Sequence, residues 1–343
     1  MVLEVSHLST LYVKVPRLKA ECVREKLLSR CVFDKTRRIL AESDFILLPV
    51  NEKISIRGCS FVQRKSPSIQ LKPQSLFEAL AGKLTPLELQ ALPSGFDVIG
   101  DIAIIELPDL LLKEKKTIAQ ALLSTFSHLK VVALKSSPVS TQYRVRGICV
   151  IAGEKRTVTV HREYGCLYKL DVASAYFSPR LGNERMRVAR KVKEGERVLV
   201  LFAGVGPYAI LIAKTRKPLE VVAVELNPAA VSFMKENARI NKVNIRVIEG
   251  DVRAVVPELG TFDRVIMPLP KDAGDFLDVA LPKARANGVV HFYDFAEKPA
   301  DSARKVQELC IKLGYRIRIL EAVVCGSYSP HINRVCVDFK VCG

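Results

Sequence analysis

Short apolar runs recur through the C-terminal half of the chain: RVLVLF (197–202), EVVAVEL (220–226), IRVIEG (245–250), DRVIMPL (263–269) and GVVHFYDF (288–295). Runs of this length, rich in β-branched residues and bounded by turns, predict buried strands. Their alternation with helical stretches from residue 168 onward predicts a doubly wound parallel sheet. Two further runs, YRIRILEAVV (315–324) and NRVCVDFKV (333–341), are separated only by CGSYSPHI. A parallel crossover needs far more chain, so these two predict an antiparallel hairpin closing the sheet. The expectation for 168–343 is an α/β, Rossmann-like seven-stranded sheet with a terminal antiparallel hairpin.

The N-terminal half reads differently. Residues 1–60 predict a small α/β unit: a strand at 11–15 (LYVKV), an amphipathic helix near 17–30 and a strand at 45–50 (FILLPV). The stretch 61–75 carries Arg64, Lys65 and Lys72, two prolines and no acid, and reads as a basic linker. Residues 76–167 hold the alternating segments FDVIGDIAIIELP, LKVVALK, YRVRGICVIAG and RTVTVHREYG, a second small α/β or α+β domain. No internal repeat is evident.

With 343 residues the chain suits two or three domains. No apolar run approaches the roughly 20 residues of a membrane span, and the opening MVLEVSHLSTLYVKV alternates instead of forming a signal core. A monomeric cytoplasmic protein that does not engage a membrane is expected. The nine cysteines include no C-x-x-C pair and the five histidines have no ligand spacing, so no metal is expected. Charge is more informative. Lys plus Arg exceeds Asp plus Glu by 53 − 36, giving +17. Heat-adapted proteins enrich lysine together with glutamate, which this chain does not do. The excess points to a polyanionic partner, with residues 130–162 (seven Lys/Arg against the single acid Glu154) as a contact face. A lysine-protected sheet edge would look similar.

After the first strand of the C-terminal sheet comes Phe202-Ala203-Gly204-Val205-Gly206-Pro207-Tyr208-Ala209. Glycines there let a ligand approach the backbone, but G-x-G-x-x-A also fits dinucleotide binding. Pro207 removes an amide that a pyrophosphate would use. Glu225 ends the second strand, where its carboxylate can accept from both ribose hydroxyls of either cofactor. Glu249-Gly250-Asp251 ends the third with an acid able to accept from an adenine amino group. With the terminal hairpin, these features select S-adenosyl-L-methionine over NAD and a class I S-adenosylmethionine-dependent methyltransferase fold.

Methylating a protonated ring nitrogen requires a base, and an adjacent carbonyl gains charge as the proton leaves. The segment Tyr176-Phe177-Ser178-Pro179-Arg180-Leu181-Gly182-Asn183-Glu184-Arg185 precedes F-A-G-V-G-P, E-L-N-P and E-G-D-x-R. In this order the motifs resemble the tRNA (guanine-N1-)-methyltransferases that act at position 37, most strongly over 165–295. The resemblance implies tRNA as partner and Glu184 as the base for guanine N1, flanked by Arg180 and Arg185. It makes Arg185 a cofactor contact alongside Phe202, Gly204 and Gly206 of the loop. It matches Glu225 and Leu226 to the ribose pair and Asp251 and Val252 to the adenine end. It assigns an arginine of Tyr143-Arg144-Val145-Arg146, here Arg144, to the guanine O6. One departure is Met267-Pro268-Leu269-Pro270, where the family usually carries Asn-Leu-Pro or Asn-Pro-Pro. Proline has no side-chain polar group for the base edge. In this the chain resembles an archaeal branch that methylates both N1 of guanosine 37 and C7 of 4-demethylwyosine. The competing expectations are methylation of rRNA or protein on the same scaffold, and a noncatalytic RNA-binding protein.

Overall fold

The structure, a computed structural model, describes residues 9–66, 73, 75–136, 147–329 and 331–342. The chain divides into two compact units, 1–79 and 80–343.

The first unit is an antiparallel sheet in the spatial order Leu40–Ala41, Phe45–Pro49, Ser9–Pro16, Ser60–Lys65. The helix Ala20–Ser29 contributes Val23 and Leu27 to its core, against Val13, Val15 and Leu48. The start of the expected linker is part of this sheet: Ser60–Lys65 pairs with the first strand from Lys14↔Ser60 to Ser9↔Lys65. Two of the basic residues that suggested a linker, Arg64 and Lys65, are exposed charges of an edge strand, where they oppose edge-to-edge pairing. Residues 67–72 and 74, the rest of that reading, lie outside the described residues.

The second unit begins with a mixed four-stranded sheet, Asp97–Ile99, Ile102–Ile105, Val131–Lys135 and Ile148–Gly153, with the helix Lys115–Thr125 as its crossover. A hairpin follows, Val158–Glu163 with Cys166–Asp171. The expected domain boundary at 167/168 therefore falls inside a strand. Asn237 and Asn241 on the helix Pro228–Asn241 explain the continuity. Asn241 accepts from Leu167 N (2.9 Å) and donates to Leu167 O (2.6 Å), and Asn237 does the same with Lys169 N (2.7 Å) and Lys169 O (2.9 Å). Four residues of helix rise about 6 Å and two of strand about 6.6 Å, so a helix face can mimic a neighbouring strand here. On the other side of the hairpin, Arg156 pairs with Asp101 and Thr159 Oγ1 accepts from Asp101 N.

The large sheet comprises β1 (Arg197–Val200), β2 (Glu220–Glu225), β3 (Arg246–Glu249), β4 (Phe262–Met267), β5 (Ala284–Ala296), β6 (Ile317–Ser327) and β7 (Asn333–Val341). Its spatial order is β3-β2-β1-β4-β5-β7-β6, with β7 antiparallel to both neighbours. One face packs on the helices Gly182–Lys191, Pro207–Thr215 and Pro228–Asn241, the other on the segments around Leu277, Leu281, Val306 and Cys310. Strand order reverses between β1 and β4, where open α/β sheets bind ligands beyond their carboxyl ends.

Asn237 is fully buried, and its Nδ2 also donates to Val205 O in the glycine loop at 3.1 Å. A buried group left without its partner costs about 1–3 kcal/mol, so Asn237→Ala should lower the unfolding free energy by about 2 kcal/mol or more. Urea denaturation with an unchanged midpoint would show that the asparagine ladder contributes nothing.

Candidate active site

The loop after β1 is held in left-handed backbone at Phe202 (φ 51°), Gly204 (58°) and Gly206 (85°). At Gly206 a Cβ would lie 2.8 Å from Met234 Cγ and 3.0 Å from Ile210 Cδ1, so sterics and φ both demand glycine. Glu225, at the end of β2, braces this loop: Oε2 accepts from Gly204 N (2.7 Å) and Oε1 from Asn227 N (2.9 Å). Asn227 caps the next helix by accepting from Ala229 N, and its Nδ2 donates to Ser174 O at 2.8 Å. Asn227 was not singled out from the sequence, although E-L-N-P contains it.

Glu225 pairs in register with Glu249, and Asp251 follows β3 as the cap of Val252–Val255, accepting from Arg253 N at 2.8 Å. Val252 is buried and Leu226 half-buried. Phe202 packs edge-on against Phe276 (4.9 Å between ring centres), and the Arg253 guanidinium lies 5.0 Å from the centre of the Phe276 ring. The residues fit an S-adenosyl group. Each Glu225 oxygen has one backbone donor and an acceptor position left for a ribose hydroxyl. Glycine gives close approach, and three carboxylates at adjacent strand ends suit a sulfonium cation and oppose a pyrophosphate.

Glu184 lies in the helix Gly182–Lys191 and is only 5% exposed. Arg187 grips it with two bonds, Nε to Oε2 at 2.7 Å and Nη2 to Oε1 at 2.8 Å. Tyr293 OH donates to Oε1 at 2.6 Å and lies 2.8 Å from Tyr208 OH. Burial pushes both phenols well above their usual range, so they remain protonated. The expected flanking by Arg180 and Arg185 is not what the structure holds. Arg180 pairs with Asp97 at 2.7 Å, and Arg185 is buried against Glu163 (2.8 Å), with Nη2 on Ser178 O and its guanidinium over Phe177. Helical geometry gives the reason: a partner three residues on shares a face with Glu184, whereas an adjacent residue points away from it. With 2% of its side chain exposed, Arg185 is fixed between Glu163 and the Ser178 backbone. Arg144 lies outside the described residues. The Met267-Pro268-Leu269 segment makes a tight turn, Leu269 N to Met267 O at 2.7 Å, which proline's fixed φ favours.

Behind Glu184 a polar cluster fills the sheet. Arg264 Nη1 lies 2.8 Å from His291 Nε2; arginine can only donate, so His291 carries its proton on Nδ1 and gives it to Asp338 Oδ1 at 2.6 Å. Burial holds the His291 imidazole below its usual range, consistent with this neutral form. Burial opposes the Asp338 charge, but His291 and Arg187 hold its carboxyl well below the usual range. Cys336 completes a trio whose ligand-type atoms lie within 4.8 Å of one another. Arg187, Lys191 and Arg264 engage the Asp338 and His291 atoms, and burial pushes the Cys336 thiol up, so the trio is wired as a polar core. Tyr293, His291 and Asp338 escaped sequence reasoning because they lie on strands whose pattern signals only burial, and Tyr208 because the loop motif that contains it drew attention to its glycines. No helix among the described residues is long and apolar enough to cross a membrane.

A sheet of this order, a glycine loop after β1 and a bracing acid ending β2 define a class I methyltransferase. The TRM5/TYW2 methyltransferase domain matches residues 159–318, the TYW2 N-terminal domain 76–157 and the tRNA methyltransferase 5 N-terminal domain 13–56. The chain is 40% identical over 337 residues to tRNA (guanine(37)-N(1))-methyltransferase Trm5b of Pyrococcus abyssi, covering 97% of this chain and 99% of that protein. It is 30% identical over 267 residues to the tRNA (guanine(37)-N(1))/4-demethylwyosine(37)-methyltransferase Taw22 of Nanoarchaeum equitans, covering 62% and 88%. The solved complex of aTrm5 and tRNALeu superposes with a TM-score of 0.85 at 31% identity, covering 96% and 99%. The chain belongs to the TRM5/TYW2 methyltransferase family.

His291 and His161 are both held below their usual range by burial. A depressed folded pKa means that the unfolded chain binds the extra proton first. Stability should therefore be full above about pH 6.5 and fall as the pH drops below it, by up to about 1.4 kcal/mol per pH unit for each histidine. In His291→Gln the fall between about pH 6.5 and 5 should be shallower. Equal slopes in wild type and variant by denaturant titration would mean that His291 does not bury its neutral form.

Proposed function

We propose that this chain is an S-adenosyl-L-methionine-dependent tRNA methyltransferase that modifies N1 of guanosine 37 and also accepts C7 of 4-demethylwyosine. One observation carries the reading: a buried, doubly held carboxylate, Glu184, in the same domain as a glycine loop braced by Glu225. When bound, S-adenosyl-L-methionine supplies the methyl group from its sulfonium. Glu225 takes the ribose hydroxyls and Asp251 the adenine amino group. Leu226, Val252 and Phe202 wall the adenosine, while Gly204 and Gly206 admit it. Glu184 accepts the N1 proton, so that the freed electron pair attacks the methyl carbon. Arg144 steadies the charge that develops on O6. Pro268 leaves the base edge without a side-chain partner and so relaxes selection between acceptors of different size.

The excess positive charge favours tRNA as substrate, and the domain at 1–60 serves tRNA affinity rather than chemistry. A monomer acting in the cytoplasm completes this reading.

Glu184→Gln keeps size and polarity but cannot take the proton. General-base catalysis contributes about 10²–10⁴-fold, so single-turnover methylation of a guanosine-37 transcript should slow on that scale while tRNA and cofactor affinities hold. A near-normal rate at neutral pH would assign the proton to another group.

Glu225→Ala removes a charged acceptor for two hydroxyls. Bonds to charged groups contribute about 1.5–3 kcal/mol, so S-adenosyl-L-methionine affinity should drop roughly tenfold or more. Unchanged affinity by calorimetry, in a folded variant, would place the ribose elsewhere.

A further inference from the structure

A base that takes a proton changes its own charge, and its surroundings must tolerate both states. A carboxylate offers about four acceptor positions. Among the described residues, Arg187 and Tyr293 fill three on Glu184 and leave one on Oε2. If Arg187 served Glu184 alone, protonation would strand a half-buried guanidinium without a counter-charge. It does not serve Glu184 alone. Arg187 Nη1 donates to Asp338 Oδ2 at 2.7 Å and to Glu321 Oε2 at 3.0 Å, and Nη2 reaches Asp338 Oδ1 at 3.2 Å. Lys191 joins from the next turn, 2.6 Å from Asp338 and also paired with Glu321.

The charges are informative. Glu184, Asp338 and Glu321 face Arg187 and Lys191, three anions against two cations. Of the remaining groups against the cluster, His291 is neutral by its tautomer, and Tyr208, Tyr293, Cys325 and Cys336 are neutral because burial pushes them up. One further cation, Arg334, stands near Cys325 with its guanidinium over the Phe295 ring. Arg264 is matched by Glu196 at 2.8 Å. When Glu184 takes up a proton, two carboxylates remain against two cations and no charge is orphaned.

We propose that Asp338, acting through Arg187, is a positioning residue that aims the open Oε2 position of Glu184 at the substrate and keeps the Arg187 counter-charge in place once Glu184 is protonated. Tyr293 fixes the carboxylate's rotation from the other side. This rests on Glu184 as the base. In the step, the N1–H bond breaks as the Glu184 O–H bond forms. The N1 pair makes the N–CH3 bond, and the pair of the broken S–CH3 bond stays on sulfur. Arg187 exchanges no proton.

The test is single-turnover methylation of a guanosine-37 transcript by the intact enzyme, across pH, for Glu184→Gln, Asp338→Asn and Tyr293→Phe. Asp338→Asn removes an anion from the cluster around Glu184 and leaves Arg187 to Glu184 and Glu321, so the acid limb of the profile should move to lower pH. Its plateau should fall about ten- to a hundredfold, part of the about 10²–10⁴-fold that a general base supplies. Tyr293→Phe removes a donor to the carboxylate, so its acid limb should move the opposite way. Cofactor and tRNA affinities should hold in both. Wild-type limbs and plateaus in both variants, with Glu184→Gln impaired, would overturn the positioning role. A fully active Glu184→Gln would instead overturn the base reading beneath it. Should Asp338→Asn fail to fold, the isosteric Tyr293→Phe decides alone, an unmoved limb and plateau counting against the proposal.

Discussion

The Glu225 carboxylate is the point on which the cofactor end of the fold depends. It spans the gap between the loop after β1 and the start of the helix after β2 by accepting one backbone N–H from each. Bonds from backbone amides to a carboxylate are stronger than neutral ones, and both donors belong to tight turns that would otherwise expose unpaired N–H groups. Asn227 extends the brace to Ser174, at the head of the segment that leads to Glu184. Three pieces of chain distant in sequence are thereby set around one carboxylate. The same atoms can then meet a ribose without rearrangement, because each oxygen keeps an acceptor position.

The second half of the site is built from charge rather than from turns. Burying Glu184 alone would be costly, and a single buried pair often gains little net stability. Here the arginine is shared among three carboxylates, one on its own helix, one on β7 and one on β6. The terminal antiparallel strand therefore contributes more than closure of the sheet. It brings Asp338 opposite His291 in register, and Cys336 opposite Tyr293. A parallel final strand would present another set of side chains to that face.

Much of this was legible in sequence, for identifiable reasons. The five parallel strands of the large sheet announce themselves as short apolar runs, and the terminal hairpin follows from loop length alone. Gly204, Gly206, Glu225 and Asp251 are legible because the chain folds each into place locally, at a strand end. The Glu184 neighbourhood was not. Its partners Tyr293 and Asp338 lie 109 and 154 residues away (293 − 184 and 338 − 184), on strands whose pattern signals only burial. Arg185 misled because adjacency in a motif suggests a shared surface, whereas a helix turns successive residues about 100° apart. The boundary at 167/168 falls inside the Cys166–Asp171 strand for a related reason: asparagine side chains on a distant helix bond one edge of that strand, and they leave no pairing signal in the sequence.

Under the proposed function, the two acceptors would place different demands on one carboxylate, Glu184. At N1 of guanine the proton must leave for the nitrogen pair to be available, so the base acts with or before methyl transfer. At a ring carbon the π electrons attack first, and the proton leaves from the methylated carbon afterwards. A base that depended on one fixed charge state around it would favour one order. Glu184 shares its arginine with Asp338, so Arg187 keeps a counter-charge whether Glu184 is ionised or protonated. On the proposed reading, Pro268 offers no polar side chain to fix the base edge, so the acceptor would be selected by fit within the pocket and its proton collected at either moment.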